Sequence, residues 1–177
     1  MRLYGLHDPS FRQDARNTKV PSPPIISPDG KRVAYTRYGG KGSELVINGA
    51  VYDSAPDIKD IVFSADSSHV AYRVYTQIGT VGQGGTIASS ASYVALDAQP
   101  ISSIRYQDVF MPTFSPKGKD IVFIARREEG KSFVVLNGRE QKPYDEITDL
   151  YFSPDGNYVG YGARETRELL WVTERLK

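Results

Sequence analysis

Residues 26–38 read ISPDGKRVAYTRY, and the phrase returns at 152–164 as FSPDGNYVGYGAR; looser copies stand at 63–75, FSADSSHVAYRVY, and at 114–126, FSPKGKDIVFIAR. Each copy is a turn followed by an alternating strand. Pro28 supplies the φ that the second position of a type I turn wants, Asp29 can bond to nearby backbone, and Gly30 accepts the left-handed geometry that follows. Pro154, Asp155 and Gly156 repeat this chemistry. Pro116 and Gly118 keep it around Lys117, whereas Ala65-Asp66-Ser67 loses both proline and glycine.

The turn serines Ser27, Ser64, Ser115 and Ser153 are spaced by 37, 51 and 38 residues, a period near 38 with one insertion of about 13. A second marker moves with them. Asn48-Gly49 and Asn137-Gly138 each precede the next turn serine by 16 residues, and Asp97-Ala98 precedes Ser115 by 18. Asn-Gly is the preferred pair for a type I′ hairpin, which needs positive φ at both central residues. Two markers with one period point to a solenoid, propeller or array. The segments between turns, such as IVFS, RVAYTRY and ELVIN, are short and rich in β-branched and aromatic residues, so the repeat is built of strands. Each unit predicts an inner strand ending at the turn serine, then a second strand, then a third (ELVIN, YVALD, FVVLN, LLWVT) and a short fourth near AVYDS or KPYDE.

Four antiparallel strands in about 40 residues make a propeller blade. The expected fold is therefore an all-β propeller of about four blades, near 25–58, 59–108, 109–147 and 148–177, preceded by an arm at 1–24. The last blade stops after its third strand, so the arm is expected to close the ring by supplying the missing outer strand; pairing of the arm with another subunit, and a place within a larger ring, are the alternatives.

The Ser-Pro-Asp-Gly turn followed by a strand of the form K-x-V/I-A-Y/F resembles the WD-repeat-like propeller repeats of the TolB type, over about Ile25 to Thr173. The resemblance implies a mostly non-enzymatic platform, often of the bacterial cell envelope, and a fold also found as a gating module on serine peptidases. It departs from the pattern at Lys117, at Ala65 to Ser67 and in the second unit's lack of Asn-Gly.

Composition bounds the function. The chain has 177 residues, no cysteine, and 22 Lys+Arg against 21 Asp+Glu for a formal charge of +1. That length buries a sizeable core without staples. The missing cysteines exclude disulfides and thiolate chemistry, and the even, scattered charge gives no footprint for nucleic acid. No apolar run is long enough for a membrane-spanning helix. The expected compartment is periplasmic or extracellular if an export signal was removed, cytoplasmic if Met1 is native.

Candidate chemistry is sparse. The turn aspartates Asp29, Asp66 and Asp155 form a possible oxygen ring, but Lys117 at the fourth position opposes a cation, so no metal and no cofactor are expected. Of two histidines, His7 lies in the arm and His69 in an exposed, variable slot; no G-x-S-x-G elbow is present. Gly82, Gly84 and Gly85 lack the lysine and helix of a phosphate loop. Tyr35, Tyr72, Phe123 and Tyr161 are equivalent and read as core, as do Phe63, Phe114 and Phe152; Trp171 on the third strand reads as packing. The segment Thr76 to Ser92 is the least repeat-like, and Thr76, Gln77, Thr80, Gln83 and Thr86 are the candidate binding residues of a loop held on a rigid scaffold. Expected is a non-catalytic scaffold that recognises a protein partner through such loops. The alternatives are a peptidase gating module, a lectin-like ligand-binding module, and a subunit that self-assembles by arm exchange.

Overall fold

The computed structural model describes residues 22–40, 42–78 and 89–176. Among these residues fifteen strands form four antiparallel sheets in strict chain order. The first holds β1 (Ile25–Ile26), β2 (Val33–Gly39), β3 (Gly42–Ile47) and β4 (Ala50–Ala55). The second holds β5 (Asp57–Phe63), β6 (Val70–Ile78), β7 (Ser89–Leu96) and β8 (Gln99–Pro100). The third holds β9 (Asp108–Phe114), β10 (Ile121–Arg126), β11 (Ser132–Leu136) and β12 (Arg139–Tyr144). The fourth holds β13 (Glu146–Phe152), β14 (Tyr158–Glu165) and β15 (Glu168–Arg175), three strands among the described residues. These are the blades of a propeller. The closing strand expected from the arm falls at 1–21, outside the described residues.

The Ser-Pro-Asp-Gly turns work by local bonding. In each copy the serine hydroxyl oxygen accepts the N–H five residues on: Arg32 to Ser27 at 2.9 Å, His69 to Ser64 at 2.9 Å, Asp120 to Ser115 at 3.2 Å and Tyr158 to Ser153 at 2.9 Å. Where an aspartate is present the hydroxyl also donates to it, at 2.6 Å for Ser27–Asp29 and Ser64–Asp66 and 2.5 Å for Ser153–Asp155. Gly30, Gly118 and Gly156 take φ of 71°, 72° and 63°, and Ser67 takes the same place at 59° without glycine's freedom. Ser67 is held across the blade boundary instead: its hydroxyl accepts the Asp29 N–H at 3.0 Å, and its carbonyl accepts from Arg32.

Those hydrogen bonds hold the carboxyls of Asp29, Asp66 and Asp155 below the ordinary carboxylate range. The serine hydroxyl contributes most and the backbone N–H two residues on contributes next. The sign follows from linkage: a carboxyl depressed on folding stabilises above its unfolded value near 3.8, and that stabilisation is lost as pH falls through the folded value. Urea midpoints are thus expected to stay level from neutral pH to about 5 and to fall below about 4. Asp155→Asn should flatten that acid limb; an unchanged limb in Asn variants at all three positions would remove the turns as its cause.

The second hairpin marker is also explained. Asn48 Oδ1 accepts from Val33 N at 2.9 Å and Asn137 Oδ1 from Ile121 N at 2.9 Å, so each asparagine both bends the chain and caps the start of the second strand. Asp97 does the same to Val70 N at 3.0 Å, and Asp97-Ala98 adopts φ of 48° and 63°. The hairpin is therefore present in the second blade without the Asn-Gly signature.

Apolar side chains pack between blades. Ala34 and Leu45 of the first blade meet Ile58, Val70, Tyr72 and Val74 of the second. Ala71 and Val94 of the second meet Val109, Phe123 and Val135 of the third, where Phe123 packs edge-on to Tyr106 at 6.3 Å. Val122, Ile124 and Val134 of the third meet Val159, Tyr161 and Ala163 of the fourth. Tyr72, Phe123 and Tyr161 are almost wholly buried and Tyr35 nearly so, as equivalence predicts. Each blade thus has a leading face, turned to the next blade, and a trailing face. No strand of the first blade packs on one of the fourth in this way among the described residues.

Candidate binding surface

The hairpin of β6 and β7 pairs from Ala71–Leu96 out to Ile78–Ser89, a ladder longer than those of the first and third blades and equal in length to that of β14 and β15. Thr76 lies on it, and its hydroxyl donates to the Ala91 carbonyl at 3.0 Å, so it is engaged within its own hairpin. Gln77 lies in β6; its side chain, and Thr80, Gln83 and Thr86, fall outside the described residues. Of the turn residues, Ser27, Asp29, Ser115, Ser153 and Asp155 are engaged in the hydrogen bonds given above.

One constellation has the residue types of a nucleophile triad. His69 Nδ1 lies 2.6 Å from Asp97 Oδ2, and Ser64 is five residues away. The serine's hydroxyl is fully buried, donates to Asp66, and meets histidine through the His69 main-chain N–H. This trio fastens two turns together. The inner strands of the second, third and fourth blades each begin with an acid that has a basic partner: Asp57 with Lys59 at 2.9 Å, Asp108 with Arg73 at 3.1 Å, Glu146 with Arg164 at 3.1 Å. Arg73 also donates to the Val109 carbonyl at 2.9 Å and pairs with Asp60 at 3.0 Å, tying the second blade to the third.

The surface that stands apart is the leading face of the fourth blade. Trp171 is 83% exposed and Leu169 84%, against the expectation that Trp171 packs. Its register gives the reason. Trp171 lies opposite Gly162, as Val134 lies opposite Ile124, Val94 opposite Arg73 and Leu45 opposite Thr36. Those three equivalents are fully buried beneath the next blade. Leu169 likewise takes the place of Ser43, Ser92 and Ser132, all buried. Leu170 and Val172, of opposite parity on the strand, pack on the trailing side.

This face has relief. Gly160 and Gly162 stand where the other blades carry Ala34 and Thr36, Ala71 and Arg73, or Val122 and Ile124, and Gly162 lines a depression beside Leu169 and Trp171. A Cβ at Gly162 would lie 2.9 Å from Thr148 Oγ1 and 3.8 Å from the Trp171 ring. The depression there measures about 340 Å³ and is bounded by Glu146, Thr148, Asp149, Arg164, Leu169 and Trp171. Tyr151 and Tyr158 extend the aromatic surface. The signal was present in the sequence as apolar residues of both parities in LLWV and as the glycines of NYVGYGAR.

No family model matches the sequence, and no curated protein matches it. Solved structures do match by shape. Acylaminoacyl peptidase of Pyrococcus horikoshii aligns at a TM-score of 0.54 and 14% identity, over 87% of this chain and 30% of that one. A eukaryotic initiation factor aligns at 0.50 and 15%, over 93% of this chain and 43% of that one. TolB of Acinetobacter baumannii aligns at 0.47 and 20%, over 86% of this chain and 40% of that one. The chain spans less than two-thirds of each of these proteins. At such identities the first two likenesses speak for the fold alone: an all-β array of stacked propeller blades.

Proposed function

We propose that the chain is a non-catalytic recognition module of TolB-type repeats that holds a protein partner on the leading face of its fourth blade. The observation that carries it is the exposure of Trp171 and Leu169 at positions buried in every other blade. An aromatic anchor beside a preformed furrow on a rigid sheet is the arrangement in which a few residues supply most of the binding energy. Exposed apolar patches of this kind mark interaction sites. The engagement of Ser64, His69 and Asp97 in structural bonds supports recognition over chemistry.

The test is site-specific cross-linking in the expressing cell, with a benzophenone side chain at position 171 and, as control, at the exposed Lys31 on the turn side. A discrete adduct from 171 and none from 31 is the expected result. Equal labelling from both sites would overturn the proposal, as would turnover of ester, peptide or glycoside reporter substrates by the homogeneous chain.

A further inference from the structure

We infer that the cleft between the first and second blades, a site separate from the fourth-blade surface, binds the guanidinium group of an arginine carried by another protein. The repeat itself supplies the template. At the boundary between the second and third blades, Arg73 of β6 reaches across to the start of the next inner strand, where its Nη1 donates to Asp108 Oδ1 at 3.1 Å and to the Val109 carbonyl at 2.9 Å. At the boundary before it the acceptors recur and the donor does not. Asp57 and Ile58 open β5 as Asp108 and Val109 open β9, while Thr36 stands in the place of Arg73.

Threonine in place of arginine leaves space. A cavity of about 550 Å³ opens there, bounded by Thr36, Arg37, Ser43, Asp57, Ile58 and Asp60. At the third boundary the same position is Ile124, which packs into the apolar core with the fourth blade. The charges already present leave one acceptor edge for a ligand. Arg37 is held by Glu44 at 2.7 Å, Asp60 by Arg73 at 3.0 Å, and Lys59, exposed on the same strand, takes Asp57 Oδ2 at 2.9 Å. The other oxygen of Asp57 accepts from the Ser43 hydroxyl at 3.4 Å, near the limit of a hydrogen bond. A guanidinium seated as Arg73 is would bridge that oxygen and the Ile58 carbonyl with donors fixed in one plane, a fork that the compact charge of an ammonium does not offer.

The probe is N-acetyl-arginine amide, titrated into the isotope-labelled full chain beside the matching citrulline and lysine amides. Amide resonances of Ser43, Asp57 and Ile58 are expected to shift and saturate with the arginine compound and to stay in place with citrulline, which has the shape without the charge. Asp57→Asn should weaken the arginine compound by about 10-fold or more. Thr36→Arg, which supplies the guanidinium from within the chain, should abolish its binding, and both variants should keep the parent's circular dichroism. Equal shifts from arginine and citrulline, or binding indifferent to Asp57→Asn, overturns the inference. If the parent shows no shift, the titration is repeated on a chain with Arg2, Arg12 and Arg16 replaced by glutamine: shifts found only there mean that the chain's own arm fills the cleft, and silence in both means that nothing of this kind does, and either result overturns binding of a partner's arginine.

Discussion

Replacing Phe123 with alanine is expected to lower stability by about 3–5 kcal/mol, the range for emptying a buried aromatic site. Phe123 is fully buried on the trailing face of the third blade, edge-on to Tyr106 and among Ala71, Val94 and Val109. Its neighbours lie on strands of two different sheets, each held by its own hydrogen-bonded ladder, so the hole cannot close without sliding one blade over the next. Urea denaturation of the variant beside the parent measures the loss. Trp171→Ala is the contrast: removing a larger ring from an exposed place should change the stability of the monomer by no more than about 0.5 kcal/mol. Equal losses from the two substitutions would mean that the assignment of buried and open faces is wrong.

Gly138→Ala is expected to cost about 3 kcal/mol, and Gly49→Ala only about 1–2 kcal/mol, although both glycines occupy the same place in the same hairpin type. Their φ values, 79° and 84°, impose nearly equal backbone strain on alanine. What differs is the surroundings. A Cβ on Gly138 would stand 2.5 Å from the Ile101 carbonyl oxygen of the preceding blade, whereas one on Gly49 meets nothing within 4 Å. The difference between the two midpoints, measured in one denaturant series, isolates the contact between blades from the intrinsic cost of the turn. Identical losses would show that the hairpin, and not its neighbour, dictates glycine at 138.

These two residues show how unevenly the sequence discloses the structure. Phe123 was legible as core because its equivalents in three other copies are aromatic and the strand alternates around it. The turns were legible because Ser, Pro, Asp and Gly each do a local job there, and local jobs leave local signatures. Ser67 and Asp97-Ala98 were harder: the same backbone forms without the usual residues, supported by Asp29 and Arg32 of another blade or by a carboxylate in place of an amide. The inner-strand bulges, where Asp60 and Asp149 take φ of 52° and 49°, left no mark that turn chemistry would recognise. Trp171 was misjudged for a related reason. Its position in the repeat is a buried one, and the alternation of a strand does not say which of its two faces a neighbouring sheet covers. The loop positions from Gln77 to Thr86 drew notice by composition, while the ridge and furrow of the fourth blade lie on regular strands that composition does not distinguish.

Among the described residues the apolar clusters join each sheet to the sheet that follows it, so this part of the molecule behaves energetically as a row of coupled units. Order can then start in any unit and spread sideways. Among the described residues strand partners are never far apart along the chain, so the search that limits folding in most β-proteins is short.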